Sequence, residues 1–153
     1  SLSPNIVIKI PVGLEGFHAI KKLTEKEIRT NATLIFSVNQ ALLAAKAGAK
    51  YLSIFIGRLD DIGQDGVSVV QDTVQMVNHY GFQSEVLAAS IRHPLHVIQV
   101  ARAGAHVATI PPGVLDLMGK HPLTDKGLEI FLSDWRGKRI EYKVSNKCIE
   151  QFR

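Results

Sequence analysis

The strongest constraint on the fold of this chain is a sequence pattern that occurs twice. Residues 47–54 (Ala-Gly-Ala-Lys-Tyr-Leu-Ser-Ile) and residues 103–110 (Ala-Gly-Ala-His-Val-Ala-Thr-Ile) share it. In each copy a glycine ends a helical segment, a short turn follows, and an apolar strand begins. The copies lie two strand–helix units apart, so the chain is predicted to be a serial array of alternating strands and helices.

Apolar β-branched runs alternate with helical segments along most of the chain. The predicted strands are residues 5–11, 29–36, 51–56, 84–92 and 106–110. The predicted helices are residues 17–26, 39–47, 69–80, 94–103, 114–118 and 124–135, and residues 57–66 are predicted to be the longest loop. Such alternation implies a parallel sheet with right-handed crossovers, in a doubly wound sheet or part of a (β/α)₈ barrel. Neither a GxGxxG nor a Walker sequence occurs, which argues against a nucleotide-binding doubly wound fold.

The composition is that of a globular protein of moderate size. With 153 residues and 46% hydrophobic residues, the chain is expected to form a single domain over residues 1–153, with residues 124–153 as a C-terminal helix and tail. No apolar run approaches the ~20 residues needed to span a bilayer, and no export-signal pattern is present. The single cysteine, Cys148, suits a reducing compartment. We therefore expect a cytoplasmic protein with no membrane partner.

The charge balance suits small anionic ligands better than nucleic acid. The chain has 18 Lys and Arg against 14 Asp and Glu, for a net charge of +4. Basic residues are scattered, except for a cluster near the C-terminus, predicted to be a solvated helix face: Arg136, Lys138, Arg139, Lys143 and Lys147. No aromatic residues interleave with the cluster as a base-stacking surface requires, so no nucleic-acid partner is expected.

Polar side chains recur at spacings of two toward the ends of the predicted strands. They are Asn31 with Thr33, Ser53 with Phe55, and Ser90 with Arg92, while Lys9 occupies the matching end of the first strand. Strand residues two apart point to one face of a sheet. Polar residues at the carboxyl ends of parallel strands are typical of the mouth of a (β/α)₈ barrel. The alternative for each Ser or Thr is that it fills space and bonds to nearby backbone.

Lys9 is the strongest candidate for chemistry. It lies in the apolar run of residues 5–11, which is predicted to be buried on both faces. Desolvation there favours the neutral amine, which can attack a carbonyl and form a Schiff base. The alternative is a structural lysine that extends to solvent from the strand end.

The other polar residues fit the same chemistry. Arg58 and Arg92 are predicted to bind a substrate phosphate and to favour the neutral lysine through their charge. Asn31 and Ser53 are predicted to hold hydroxyl groups, and Thr33 a proton-carrying water. Such a set suits the making and breaking of a carbon–carbon bond beside a ketone, although it contains no obvious general acid or base.

Several stretches of the chain together resemble the transaldolase family, which includes small transaldolases and fructose-6-phosphate aldolase. They are residues 5–11, 30–36 (Thr-Asn-Ala-Thr-Leu-Ile-Phe), 53–61 (Ser-Ile-Phe-Ile-Gly-Arg-Leu-Asp-Asp), 87–92 (Leu-Ala-Ala-Ser-Ile-Arg) and 103–112. The resemblance is co-linear as far as about Arg136. It implies an α/β fold of the (β/α)₈ TIM-barrel type.

The resemblance also implies roles for individual residues. Lys9 matches the Schiff-base lysine and Thr33 the water-positioning threonine, while Asn31 and Ser53 match contacts to the dihydroxyacetone moiety. The phosphate site is matched by Arg58, Ser90 and Arg92. Phe55 lies where transaldolases carry phenylalanine and the aldolases carry tyrosine, which favours the transferase.

The chain departs from the family in its number of strands. Family members are complete barrels with the lysine on the fourth strand, whereas this sequence predicts five strands beginning with that one. A whole barrel takes ~250 residues. We therefore expect the C-terminal part of a (β/α)₈ barrel of about five βα units. The expected missing N-terminal segment would carry the family's aspartate proton shuttle.

The function implied by the resemblance is transfer of a dihydroxyacetone unit between sugar phosphates through a lysine Schiff base, in the pentose phosphate pathway. Fructose 6-phosphate or sedoheptulose 7-phosphate would be the donor and an aldose phosphate the acceptor. No cofactor or metal is expected, and a homo-oligomer is implied. One alternative is fructose-6-phosphate aldolase-type cleavage, and another is a catalytically incomplete fragment or scaffold.

Three other features receive structural interpretations. Asp60 and Asp61 are predicted to pair with Arg58 or to cap the following helix. His93 and His96 have no third ligand at a usual metal-binding spacing, so they are interpreted as surface or capping residues. Trp135 is predicted to be a packing anchor, with a place in a subunit interface as the alternative.

Overall fold

The computed structural model describes residue 3 and residues 5–137. The strands are β1 (Ile8–Pro11), β2 (Thr30–Ile35), β3 (Tyr51–Phe55), β4 (Glu85–Ala89) and β5 (Val107–Ala108). The helices are α1 (Leu14–Thr24), α2 (Val38–Lys46), α3 (Ile56–Asp60), α4 (Gly66–Tyr80), α5 (Pro94–Arg102), α6 (Pro112–Met118) and α7 (Pro122–Gly137). The chain forms two compact units, Ser1–Met118 with the sheet and Gly119–Arg153 with α7. Among the described residues, no helix combines the length and apolar character that crossing a membrane requires.

The sheet has five parallel strands in the order β1-β2-β3-β4-β5. A doubly wound sheet reverses its strand order at a switch point, whereas a (β/α)₈ barrel keeps the order of the sequence. The order here is sequential across all five strands. The prediction of a partial TIM barrel with an α/β fold is therefore confirmed.

Helices α1, α2, α4, α5 and α6 form a layer on one face of the sheet. Successive members of this layer are in contact: α1 packs on α2, α2 on α4, α4 on α5 and α5 on α6. The core lies between this layer and the apolar face of the strands, where Leu52, Ile54, Val86 and Ala88 are fully buried. Because side chains alternate between faces, the intervening residues project from the opposite face of the sheet.

The repeated turn has the same geometry in both copies. Gly48 and Gly104 follow the last residues of α2 and α5 with positive φ angles of 94° and 81°. The next amide donates back across each helix end, from Ala49 to Ala44 and from Ala105 to Val100, at 3.0 Å in both cases. Residues with side chains strain at such φ angles, which explains the glycine in each copy.

The predicted loop at residues 57–66 begins instead as the short helix α3. Its apolar residues Ile56 and Leu59 lie three positions apart and are both buried. Helical geometry brings residues at this spacing to one face, so burial of the pair accounts for the helix. Only residues 61–65 connect α3 to α4. Strands β4 and β5 are also shorter than predicted.

Two predictions about exposure are wrong within the described chain. Strand β1 is not buried on both faces, since Ile8 and Ile10 are half-buried while Lys9 and Pro11 are exposed. Trp135 is not a packing anchor, because it is 80% exposed and α7 contains no buried residue. The C-terminal part of the basic cluster and Cys148 lie outside the described residues.

The two repeat glycines differ in their surroundings, which gives a test of the packing. A Cβ at Gly48 would lie 2.5 Å from Cγ2 of Thr24, whereas a Cβ at Gly104 would lie 3.2 Å from Cγ1 of Val74. The Thr24 hydroxyl donates to the carbonyls of Ile20 and Gly48, so its side chain cannot move aside without losing these bonds.

We predict that Gly48→Ala lowers the free energy of unfolding by about 3 kcal/mol and Gly104→Ala by about 1.5 kcal/mol. Both changes strain a positive φ angle, but only the first also displaces a hydrogen-bonded side chain. Urea titration monitored by circular dichroism measures the difference. Equal losses for the two variants would contradict the account of Thr24.

Candidate active site

Lys9, Asn31, Thr33 and Ser53 lie on the face of the sheet opposite the helices. Lys9 pairs in register with Asn31, and Pro11 with Thr33. The Ser53 hydroxyl donates to the Asn31 amide oxygen at 2.7 Å, and Ser53 itself is fully buried. The strand register thus places Lys9 next to a hydrogen-bonded pair of polar side chains.

The Phe55 ring lies near two of the predicted site residues, Lys9 and Arg58. The Lys9 ammonium is 5.9 Å from the ring centroid, and the Arg58 guanidinium carbon is 5.0 Å from it. Phe36 packs against the same ring in a tilted arrangement. A cation within about 6 Å of an aromatic face is attracted to it. Phe55 therefore connects Lys9 on β1 to Arg58 on α3.

Thr33 offers a buried hydroxyl within β2. Its oxygen has no hydrogen-bond partner among the described residues. The pairing of β2 with β3 shifts between Ala32 and Ile35, and Leu34 has a φ angle of 60°. This β-bulge interrupts the ladder next to Thr33. A buried hydroxyl without a protein partner is normally satisfied by water or a polar ligand.

The segment of residues 90–92 is joined to the beginning of α3. Ser90 has a φ angle of 61°, and its carbonyl accepts a hydrogen bond from the Gly57 amide at 3.2 Å. A Cβ on Gly57 would touch the Ser90 carbonyl and lie 2.6 Å from Nε of Arg92. Only glycine allows this close approach, which brings Arg92 alongside α3.

Both aspartates that end α3 have partners that the sequence did not predict. Asp61 forms an ion pair with Arg92 at 2.8 Å, rather than with Arg58. Asp60 accepts a hydrogen bond from the amide of Gly66, the first residue of α4, as the capping interpretation predicted. Its second oxygen lies 2.9 Å from Nε2 of His96.

His96 is buried, whereas the sequence interpretation made it a surface or capping residue. It is 5% exposed, and its Nδ1 accepts a hydrogen bond from the Arg92 amide at 3.3 Å. His93 has the capping role that was predicted, because it is the N-cap of α5 and accepts from the His96 amide. The sequence feature that could have pointed to His96 is its position in the first turn of the predicted helix that follows Arg92.

The environment of His96 lowers its pKa from the ordinary value of 6.5. Burial is the largest cause, followed by the nearby charge of His93, while Asp60 acts in the opposite direction. The hydrogen bonds agree with a neutral ring, in which Nε2–H donates to Asp60 and Nδ1 accepts from Arg92. Protonation of the ring would place a hydrogen on Nδ1, which would then face the N–H group of Arg92 and lose this hydrogen bond.

The prediction that the site residues all lie at the carboxyl ends of the strands is wrong for four of them. Lys9 and Asn31 are the second residues of β1 and β2, and Thr33 and Ser53 lie within β2 and β3, whereas Phe55 ends β3 and Arg58, Ser90 and Arg92 follow β3 or β4. The residues also form distinct contacts. Lys9, Phe55 and Arg58 meet at one ring, and Asn31 bonds to Ser53. Arg92 instead contacts Asp61 and Gly57. Within the described residues, no group of three or more His, Cys, Asp or Glu side chains is arranged to hold a metal ion.

A sequential parallel sheet with an outer helical layer and polar strand ends defines a member of the (β/α)-barrel class, whose active sites lie at this end of the strands. Residues 1–152 match the family Transaldolase/Fructose-6-phosphate aldolase. The chain belongs to this family.

Proteins similar to this chain carry the name probable transaldolase. The protein of Herpetosiphon aurantiacus is 62% identical over 134 residues, which cover 88% of this chain and 61% of the relative. That of Desulforamulus reducens is 59% identical over 135 residues, covering 88% and 62% respectively. That of Moorella thermoacetica is 56% identical over 147 residues, covering 96% and 66%. The chain thus spans about three fifths to two thirds of the length of these relatives.

The lowered pKa of His96 predicts how stability depends on pH. A histidine whose pKa is depressed in the folded state contributes its full stability above the unfolded value of 6.5. That contribution is lost as the pH falls from there through the lower folded pKa. The slope from this one group is at most about 1.4 kcal/mol per pH unit.

We expect His96→Gln to remove this component, since glutamine does not titrate. Urea titrations between about pH 8 and about pH 5 compare the two proteins, with His93 present in both. The unaltered chain should lose stability more steeply below pH 6.5. Parallel pH profiles would show that His96 is not held neutral.

Proposed function

We propose that the protein transfers a dihydroxyacetone unit from a ketose phosphate to an aldose phosphate through a Schiff base on Lys9. The donor is fructose 6-phosphate or sedoheptulose 7-phosphate. The observation that carries this proposal is the juxtaposition of Lys9 with the hydrogen-bonded Asn31–Ser53 pair on one face of the sheet, with Arg58 of α3 at the nearby Phe55 ring. Membership of the family supports it.

In the proposed reaction the neutral Lys9 amine attacks the ketone carbon of the donor. Loss of water gives an iminium ion, which withdraws electrons from the neighbouring carbon. A proton is then removed from the hydroxyl group on the carbon beyond this neighbouring carbon. The bond between these two carbons breaks, an aldose is released, and the electron pair remains in an enamine. The enamine attacks the aldehyde of the acceptor, which takes up a proton, and hydrolysis of the new iminium frees Lys9.

Asn31 and Ser53 suit binding of the hydroxyl groups of the dihydroxyacetone unit. Their mutual hydrogen bond fixes the Asn31 amide, leaving its NH₂ group to donate to a ligand. Since Asn31 pairs in register with Lys9, a hydroxyl bound there is adjacent to the reacting amine. The partnerless hydroxyl of Thr33 suits a water that carries protons during iminium formation and hydrolysis.

Arg58, Ser90 and Arg92 are proposed to bind the phosphate. Guanidinium groups donate paired hydrogen bonds to phosphate oxygens. Arg92 is paired with Asp61 in a half-exposed ion pair, so a phosphate has to compete with that carboxylate for the guanidinium. A pair this exposed to solvent contributes about 1 kcal/mol or less, which a dianionic phosphate can outweigh.

The general acid–base group is proposed to come from a segment upstream of Ser1, because none of the candidate residues described above suits the role. The greater length of the relatives supports this proposal. We further propose that the protein is cytoplasmic and homo-oligomeric and acts in the pentose phosphate pathway. The oligomeric state and the pathway rest on the family resemblance, and the location rests on the composition described above.

Fructose-6-phosphate aldolase-type cleavage is the second candidate function, because the family includes both activities. The phenylalanine at position 55 favours transfer, by the resemblance described above. An aldolase releases free dihydroxyacetone without an acceptor, whereas a transaldolase retains the enamine until an aldose phosphate arrives. A scaffold without activity would form no covalent intermediate.

Borohydride trapping tests the proposal directly in the full-length protein. Incubation with fructose 6-phosphate and borohydride should attach a reduced dihydroxyacetone unit to Lys9, as measured by peptide mass mapping. Lys9→Met should abolish the adduct, and the control Lys26→Met, at an exposed position, should retain it. A protein that forms no adduct, or a Lys9→Met variant that still forms one, would exclude the mechanism.

A further inference from the structure

Asp60 is fixed at the junction of α3 and α4 by both of its carboxylate oxygens. Oδ1 accepts from the Gly66 amide at 3.1 Å, and Oδ2 accepts from Nε2 of His96 at 2.9 Å. Because each oxygen has a defined partner, the carboxylate holds its orientation relative to the first turn of α4. It also determines which nitrogen of His96 carries the proton.

His96 relays this orientation to the main chain of Arg92. With Nε2–H donating to Asp60, Nδ1 carries a lone pair and accepts from the Arg92 amide at 3.3 Å. The ring is buried, so water does not compete readily for these contacts. The other neutral tautomer, or the protonated ring, would place an N–H group against the Arg92 amide.

Arg92 is consequently held at both ends. His96 fixes its amide, and Asp61 fixes its guanidinium at 2.8 Å. Its side chain passes over Gly57, where a Cβ would leave no room for it. The adjacent residues Asp60 and Asp61 thus act on the two ends of one arginine. An arginine ordered in advance loses less conformational entropy when it binds an anion.

We propose that the Asp60–His96 pair positions Arg92 for binding of the substrate phosphate. The Asp60 hydrogen bond sets the tautomer of His96 that accepts from the Arg92 amide. The Arg92 main chain is thereby held in place, so its guanidinium starts from a fixed position beside α3. This inference rests on the proposed function, in which Arg92 is a phosphate ligand. Asp60 and His96 are positioning residues, since they act through Arg92.

Two substitutions of His96 separate its two hydrogen bonds. His96→Asn places an amide oxygen near the position of Nδ1, which keeps an acceptor for the Arg92 amide and gives up Asp60. His96→Gln places its amide group near Nε2, which keeps a donor for Asp60 and removes the acceptor for Arg92. Both variants lose the imidazole ring. They differ in which hydrogen bond remains: His96→Asn keeps the one from the Arg92 amide, and His96→Gln keeps the one to Asp60.

Asp60→Asn tests the tautomer without altering His96. An amide that still accepts from Gly66 presents NH₂ to Nε2, so His96 should move its proton to Nδ1. The ¹⁵N chemical shifts of the His96 ring report this change. Asp72→Asn, at an exposed position on α4, is the control for loss of one negative charge.

The measurements use the full-length protein with inorganic phosphate as the probe. For His96→Gln and Asp60→Asn we expect about tenfold weaker phosphate binding by calorimetry and a similar rise in KM for fructose 6-phosphate. His96→Asn and Asp72→Asn should stay within about threefold of the unaltered protein. Borohydride trapping of unphosphorylated dihydroxyacetone on Lys9 should change little in all four variants.

Each failure has a separate meaning. Equal losses in His96→Asn and His96→Gln, or unchanged phosphate binding in His96→Gln and Asp60→Asn, would overturn the positioning role. Absence of phosphate binding in the unaltered protein would overturn it too, while trapping on Lys9 would still support the Schiff base. Absence of trapping together with the predicted phosphate affinities would contradict the proposed function and leave the positioning of Arg92 supported.

Discussion

The parallel register of the strands is the constraint on which the rest of the structure depends. Side chains alternate between the two faces of a strand, and in-register parallel neighbours share a face. One face therefore collects Leu52, Ile54, Val86 and Ala88 for the helices to cover. The same register places Lys9 beside Asn31 on the other face. A slip of one residue in β1 would send Lys9 into the helix layer.

The parts of the fold that follow local rules could be predicted from the sequence. The two Ala-Gly-Ala turns indicated the serial βα array, and both glycines have the required positive φ angles. Polar residues spaced two apart located the candidate site on one sheet face. The alternation of strands and helices left a doubly wound sheet and a partial barrel both possible, and the resemblance to the family favoured the barrel.

The features that the sequence did not reveal depend on contacts between elements. Helix α3 forms because Ile56 and Leu59 are buried together, although the surrounding glycines and aspartates are typical of a loop. Asp61 pairs with Arg92, which lies far along the chain, and not with the nearby Arg58. The role of His96 depends on its burial between α3 and the segment before α5, which spacing alone does not show.

These contacts give the candidate site two distinct regions. Near β1 to β3, Lys9 lies next to the Phe55 ring and a hydrogen-bonded polar pair, where the Schiff base is proposed to form. After β4, Arg92 is anchored by Asp60 through His96 and by Asp61. Gly57 joins the regions, because it packs against Arg92 one residue before Arg58. The proposed function requires both regions to contact the same substrate molecule.

A crystal structure of the full-length protein, reduced with borohydride in the presence of fructose 6-phosphate without an acceptor and then soaked with inorganic phosphate, tests that requirement most directly. We expect a reduced dihydroxyacetone unit bonded through its former ketone carbon to Nζ of Lys9. The oxygens of a bound phosphate should lie about 3 Å from the guanidinium groups of Arg58 and Arg92, close enough to the adduct for one ketose phosphate to span both. An adduct on another lysine, or a phosphate that lies away from both arginines, would contradict the proposal.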